Sequence, residues 1–163
     1  MQFSKSTGYA LHALIHLARA ERGSYVGIKE LSGLLGVSVS YLSKVMSKLR
    51  QDGIVRAVTG ASGGYELAKP ADEITFLEVI QVVEGRQPLY ECFEMSEQRH
   101  QLFYEAKTAE LAPSQGLGGK ECLVRQVMAG AERQMLQYLQ RHTIQSVLEA
   151  ASFDCGSKPE KPH

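Results

Sequence analysis

Three observations predict a mainly α-helical fold, built on a helix-turn-helix with a two-stranded wing and completed by a long C-terminal helix. Two short stretches with helical apolar spacing flank a glycine at position 36. Two runs of strand character, joined by a glycine-rich segment, follow directly. Near the C-terminus an apolar residue recurs every three or four positions from 124 to 138.

The elements follow in order. Over residues 4–20, Ala10, Leu14 and Leu17, joined by Leu11, Ile15 and Ala18, make a broad apolar stripe and predict a scaffold helix. Ile28, Leu31 and Leu35 give the next helix one apolar face. Gly36 allows a sharp turn. Ser38 then offers a hydroxyl to the free N–H groups of the following helix. In that helix Leu42, Val45, Met46 and Leu49 repeat the i, i+3, i+4, i+7 pattern and should anchor it.

Its opposite face carries Ser40, Tyr41, Lys44, Ser47 and Lys48. Small hydroxyls permit close approach to a major groove, and lysines reach phosphates. By itself such a face is also what an ordinary solvated helix presents. The hairpin that follows changes that reading. Ile54–Val58 and Gly64–Ala68 are predicted strands, with Thr59, Gly60, Ala61, Ser62 and Gly63 between them. A hairpin directly after a recognition helix is a wing, whose tip can reach a minor groove while Arg56 holds a phosphate. The predicted partner is double-stranded DNA.

After the wing, Thr75 and Glu78 form a Thr-x-x-Glu capping box. Leu77, Ile80 and Val83 are expected to face the core, and Gly85 to end that helix. Thr143 is placed to cap a last short helix through Ala151.

Composition agrees with this organisation. The 163 residues are 44% hydrophobic, enough for a real core. The formal net charge is zero, but it divides unevenly. Residues 1–70 hold nine Lys and Arg against four Asp and Glu, a balance of +5; residues 71–163 hold nine against fourteen, a balance of −5. A basic head on an acidic body suits a protein whose head alone meets DNA. No apolar run approaches the ~18 residues of a membrane span. Ala10 to Ala18 is interrupted by His12 and His16, unlike a secretory signal. A cytoplasmic location is therefore expected, with no membrane partner.

Enzyme readings find no support. Gly60 to Gly64 leads from strand to strand rather than into a helix, so it is no phosphate-binding loop. No serine-centred nucleophile elbow occurs. Cys122 and His142 would lie ~30 Å apart along one helix.

Residues 6–18 (STGYALHALIHLA), 37–55 (VSVSYLSKVMSKLRQDGIV), 59–70 (TGASGGYELAKP) and 73–85 (EITFLEVIQVVEG) together resemble the IscR/NsrR/CymR-type winged-helix regulators of bacteria, the Rrf-two family. The resemblance spans nearly the whole chain, with an apparent insertion near 94–120. It implies that the second helix of the motif enters the major groove, flanked by the wing. Carried over by matching position, Ser38, Ser40, Tyr41, Lys44, Arg56, Ser62, Gly63 and Gly64 are the expected DNA contacts, to which the residue reading adds Ser47, Lys48 and Thr59. Many members have arginine where this chain has Thr59, which weakens a minor-groove contact and bears on the target sequence.

The implied organisation is a DNA-binding domain over 1–85, a sensor loop with an inserted helix over 86–121, a dimerisation helix and short terminal helix over 122–153, and a disordered tail over 154–163. Val124, Met128, Ala131, Met135 and Tyr138 have the seam spacing of a helix pair, a spacing that serves equally for packing on the chain's own head, and the resemblance favours pairing between chains. A homodimer would present two recognition helices roughly 34–36 Å apart, or a multiple of that, to a near-palindromic operator.

The three cysteines are Cys92, Cys122 and Cys155. Cluster-binding members of the resembling family place three cysteines close together before the long helix. Cys92 matches the first and Cys122 the last; the middle one is absent. Two thiolates do not complete a four-ligand cluster, so His12 and His100 are the further candidate ligands. The expected sensor is an iron–sulfur cluster, [2Fe–2S] first; the alternatives are a cluster-free thiol switch, a small-molecule site with no cofactor, or cysteines that are simply buried. The expected function is a redox-, cluster- or ligand-responsive repressor. The alternative is a redox-sensing adapter that uses the same fold for protein contacts without an operator.

Overall fold

The apolar stripes read over residues 4–20, 28–35, 42–49 and 77–83 converge on one core. The computed structural model describes residues 3–20, 24–60, 63–88, 90 and 123–154. The elements are α1 (Lys5–Arg19), α2 (Ile28–Leu35), α3 (Val39–Gln51), β1 (Val55–Val58), β2 (Gly64–Leu67), α4 (Phe76–Glu84), α5 (Leu123–Arg141) and α6 (Ile144–Asp154). The chain forms two units: residues 1–87 with 136–163, and residues 88–135. Among the described residues no helix is long and apolar enough to cross a membrane.

In the first unit, Ala10, Ala13, Leu14 and Leu17 of α1 meet Leu31 of α2 and Leu42, Val45, Met46 and Leu49 of α3. Ile54, Val55, Ile74, Val79, Val83 and Ile144 complete the cluster. Ile28 and Leu35 pack on its edge. The turn between α2 and α3 is made by Gly36, which takes the left-handed conformation at φ 62° and accepts no Cβ there without strain.

β1 and β2 form an antiparallel hairpin in the register Val55–Leu67, Arg56–Glu66, Ala57–Tyr65 and Val58–Gly64. Val26 adds a short third edge: its N–H donates to the Tyr65 carbonyl at 3.0 Å, and the Tyr65 N–H returns to the Val26 carbonyl at 2.9 Å. The hairpin is thereby pinned to the segment entering α2.

Two details differ from expectation. In α4 the buried residues are Val79, Ile80 and Val83, with Leu77 only half-buried. Nine residues of helix leave the phase of a stripe open, and packing decides it. Thr75 caps α4 by accepting the Glu78 N–H at 3.1 Å, but the Glu78 carboxylate does not reach back. It accepts from Lys69 instead, so half of the capping box forms.

The terminal helix is part of the head. Ile144 is fully buried, and its N–H donates to the Ile74 carbonyl while Phe76 donates to His142. Thr143 caps α6 by accepting the Ser146 N–H at 3.1 Å. The expected segments 86–121 and 154–163 lie outside the described residues, apart from 86–88, 90 and 154.

Candidate nucleic-acid interface

α3 is amphipathic in the sense the interface needs. Leu42, Val45, Met46 and Leu49 are buried on one side. Ser40, Tyr41, Lys44 and Lys48 are exposed on the other, with Ser47 half-buried. Ser38 starts the helix from an extended conformation, and the Tyr41 N–H donates to its Oγ at 3.4 Å. Ser38 Oγ also lies 3.4 Å from Ser40 Oγ. The N-terminal end of α3 therefore gathers the hydroxyls of Ser38 and Ser40 beside a helix terminus that favours negative charge.

The basic residues of the face differ in what they are free to do. Lys44 is exposed and makes no hydrogen bond or ion pair among the described residues. Lys48 donates its Nζ to the Val83 carbonyl at 2.9 Å, which places a cation at the C-terminal end of α4, where the helix dipole favours one. Arg56 pairs across the hairpin with Glu66, Nε to Oε1 at 2.6 Å. The hydrogen bond to Glu66 and its charge push the Arg56 pKa up. Lys44 is thus the cation of this set with nothing to give up on meeting a phosphate.

Tyr41 is 38% exposed, with both its ring and its hydroxyl engaged. The ring stands edge-on to Tyr9 at 5.8 Å between centroids. The hydroxyl lies 2.6 Å from Ser6 Oγ. Sequence reasoning missed Ser6 and Tyr9. The usable signal was their i, i+3 spacing on α1, which puts both on one side of that helix.

At the same end of α1, Glu84 accepts three hydrogen bonds on Oε1: from the Ser4 N–H at 2.8 Å, from Ser4 Oγ at 2.7 Å, and from Thr7 Oγ1. Ser4 itself gives α1 no side-chain cap; the carboxylate arriving from α4 instead holds the N-cap residue by its N–H and hydroxyl, a negative charge placed where the start of a helix favours one. Bonds from Thr7 and Ser4 hold the Glu84 carboxyl below its ordinary value near 4.5. A carboxylate depressed in the folded state stabilises the protein above its unfolded pKa, and that contribution disappears as pH falls through the folded pKa. The thermal midpoint should therefore fall on acidification below about pH 4.5. Glu84→Gln should flatten that part of the curve; a variant with an unchanged acid limb would refute the assignment.

At the wing, Thr59 is exposed and Ser62 lies outside the described residues. Gly63 and Gly64 are half-buried, and both sit too close to backbone to carry a side chain. A Cβ on Gly63 would lie 2.2 Å from the Val58 carbonyl oxygen, and one on Gly64 2.6 Å from that of Val26.

Of the candidate sensor residues, Cys92, Cys122 and His100 lie outside the described residues. His12 is exposed on α1 and donates Nδ1–H to the Gly8 carbonyl at 2.8 Å. Among the described residues no group of three or more His, Cys, Asp and Glu side chains could hold a metal ion. Those residues alone do not supply the donors an iron or iron–sulfur site needs.

Along α5 no described residue is buried. Val124 is 54% exposed, Val127 71% and Tyr138 65%, with Leu123, Met128 and Ala131 also exposed and Met135 half-buried. Leu123 and Val127 add to the exposed apolar side chains of this helix.

Comparison with known proteins places these features. Residues 3–150 match the family model of Rrf2, described as an iron-dependent transcriptional regulator. The transcriptional regulator NsrR of Shouchella clausii is 28% identical over 148 residues, 91% of this chain and 89% of its own. An HTH-type protein of Mycobacterium tuberculosis is 35% identical over 85 residues, 52% of this chain and 53% of that protein, so the match spans about half the relative's length. Among solved structures, CymR, the global cysteine regulator of B. subtilis, superimposes with a TM-score of 0.68 at 23% identity, covering 92% of this chain and 98% of that one.

Proposed function

Since the chain belongs to the Rrf2 family of transcriptional regulators, whose members are not enzymes, we propose that it is a sequence-specific DNA-binding regulator that lays α3 in the major groove. The observation that carries this reading is the α3 face: Ser40, Tyr41 and Lys44 outward, backed by four buried apolar side chains. Thr59 and the residues around it would lie along the adjacent groove.

The finer reading is a homodimeric repressor. A row of exposed apolar side chains on α5 is what an isologous helix pairing covers, and two heads related by that pairing would read a near-palindromic site. Cys92 and Cys122 are the residues through which a redox or iron–sulfur signal would enter, with His12 and His100 as supporting candidates.

The test is anisotropy titration of a fluorescent duplex selected by the native protein from a random-sequence pool. Affinity should fall steeply as salt rises, and Lys44→Ala should lower the slope by about one per protomer. Lys48→Ala should lower it less, because its ammonium is engaged with Val83. A salt-independent or absent interaction refutes DNA binding. The internal engagement of Lys48 and Arg56 is the one observation that favours the adapter reading, and the same titration separates the two.

A further inference from the structure

α1, α3 and α4 meet at a polar corner, and α3 brings Tyr41 to it. Glu84, the last residue of α4, holds the first turn of α1 through Ser4 and Thr7. Lys48 of α3 donates to Val83, the residue before Glu84. Two residues after Ser4 comes Ser6, whose hydroxyl meets that of Tyr41, and one turn on comes Tyr9, whose ring braces the Tyr41 ring.

We propose that Glu84 and Ser6 are positioning residues for DNA recognition: Glu84 fixes the start of α1, and Ser6 there fixes the direction of the Tyr41 hydroxyl. The inference rests on the DNA-binding reading above and adds residues to it that lie outside the recognition helix.

The hydrogen-bond chemistry is specific. Ser6 and Tyr41 each have one hydroxyl proton, and one of them bridges the 2.6 Å contact. When Ser6 donates to the Tyr41 oxygen, the phenol proton is left to donate outward to a phosphate oxygen. When Tyr41 donates to Ser6, its proton is spent internally. An approaching phosphate, which only accepts, selects the first arrangement. Ser6 then polarises the phenol that binds the phosphate, and the pair acts as one chained donor. That chain requires the first turn of α1 to stay in register with α3. The turn has no side-chain cap from Ser4, its own N-cap residue; the Glu84 carboxylate fastens it instead.

Neither residue need touch DNA, so each must act through Tyr41. This gives a test that a merely structural role would not pass: a double-mutant cycle on DNA affinity. With the selected duplex as probe, Tyr41→Phe, Ser6→Ala and Glu84→Ala should each weaken binding about three- to tenfold. In the Tyr41→Phe background, Ser6→Ala and Glu84→Ala should weaken it by less than about twofold more, since the hydroxyl they orient is gone. Glu84→Gln keeps a side-chain oxygen able to accept from Ser4 and Thr7 and should recover most of the loss.

If Glu84→Ala or Ser6→Ala leaves affinity unchanged, or weakens it by the same factor with and without the Tyr41 hydroxyl, the proposal is overturned. Should Glu84→Ala fail to fold, the Ser6 cycle decides alone, because Ser6 lies at a half-exposed position where truncation leaves the core intact. Native protein that binds no duplex at all overturns the DNA-binding reading itself, an outcome distinct from a native protein that binds while the cycles show no coupling.

Discussion

Leu42→Ala lowers folding stability by about 2–5 kcal/mol, and the proposed DNA binding weakens through a loosened α3 rather than through a lost contact. Leu42 is completely buried, as are Met46 and Leu49 further along the same face of α3. Removing its side chain leaves a cavity in the core that α3 shares with α1 and α2, and the outward face proposed to meet DNA depends on that core for its orientation. For a chain of this length the thermal midpoint should fall by roughly 4–20 °C. Lys44→Ala is the matching control, because it lies on the opposite face and is exposed. It should change the salt dependence of DNA binding while moving the midpoint little, since surface substitutions usually stay within ~0.5 kcal/mol. The pair separates the two sides of one helix. Should Leu42→Ala melt with the native protein, α3 is not seated as described.

The contrast between those two residues was legible in the sequence, because both depend only on helical period and on a cap. Leu42, Val45, Met46 and Leu49 fall on one side of any helix begun at Ser38, and the residues between them must fall on the other. The turn at Gly36 was legible for the same local reason, as was the hairpin, whose strands are bounded by glycines. What the sequence does not carry is which charges are already spent. Lys48 reads as a phosphate ligand until α4 arrives with the Val83 carbonyl, a partner 35 residues away. Arg56 reads the same way until the hairpin register sets it opposite Glu66. Both are tertiary facts, fixed by pairings that no local pattern encodes.

The missed half of the site has the same origin. Ser6 and Tyr9 were part of a segment read as scaffold, since α1 carries an apolar stripe and little else that is distinctive. Their importance comes from the crossing of α1 over α3, which brings Ser6 within 2.6 Å of Tyr41. Likewise the last helix looked like an appendage of the long one, yet Ile144 lies in the head's core and its N–H bonds to Ile74. Packing across 70 residues of chain outweighed proximity in sequence.

The wing glycines pose the opposite question, whether a residue assigned to DNA is there for the fold. Gly64 occupies the β2 end of the hairpin, directly before Tyr65, whose N–H and carbonyl pair with Val26. A Cβ at Gly64 would stand 2.6 Å from the Val26 carbonyl oxygen, 2.7 Å from its carbon and 3.1 Å from the Gly27 nitrogen. These are backbone atoms, which cannot swing aside as a flexible side-chain end can. Gly64→Ala must therefore push the hairpin off the strand edge that Val26 offers, stretching both bonds that tie Tyr65 to it. Overpacking of this kind costs about 1–3 kcal/mol, and each weakened backbone hydrogen bond adds about 1 kcal/mol. Amide exchange at Val26 and Tyr65 should speed up well beyond that at Leu49 or Val79 in the core, because the damage is local to the hairpin. DNA affinity should fall as well, with a salt slope close to native, since no phosphate-binding side chain has been removed. A Gly64→Ala protein with native exchange at Val26 and Tyr65 but a flatter salt slope would instead place Gly64 against the phosphate backbone, where its missing side chain lets DNA approach rather than letting β2 meet Val26.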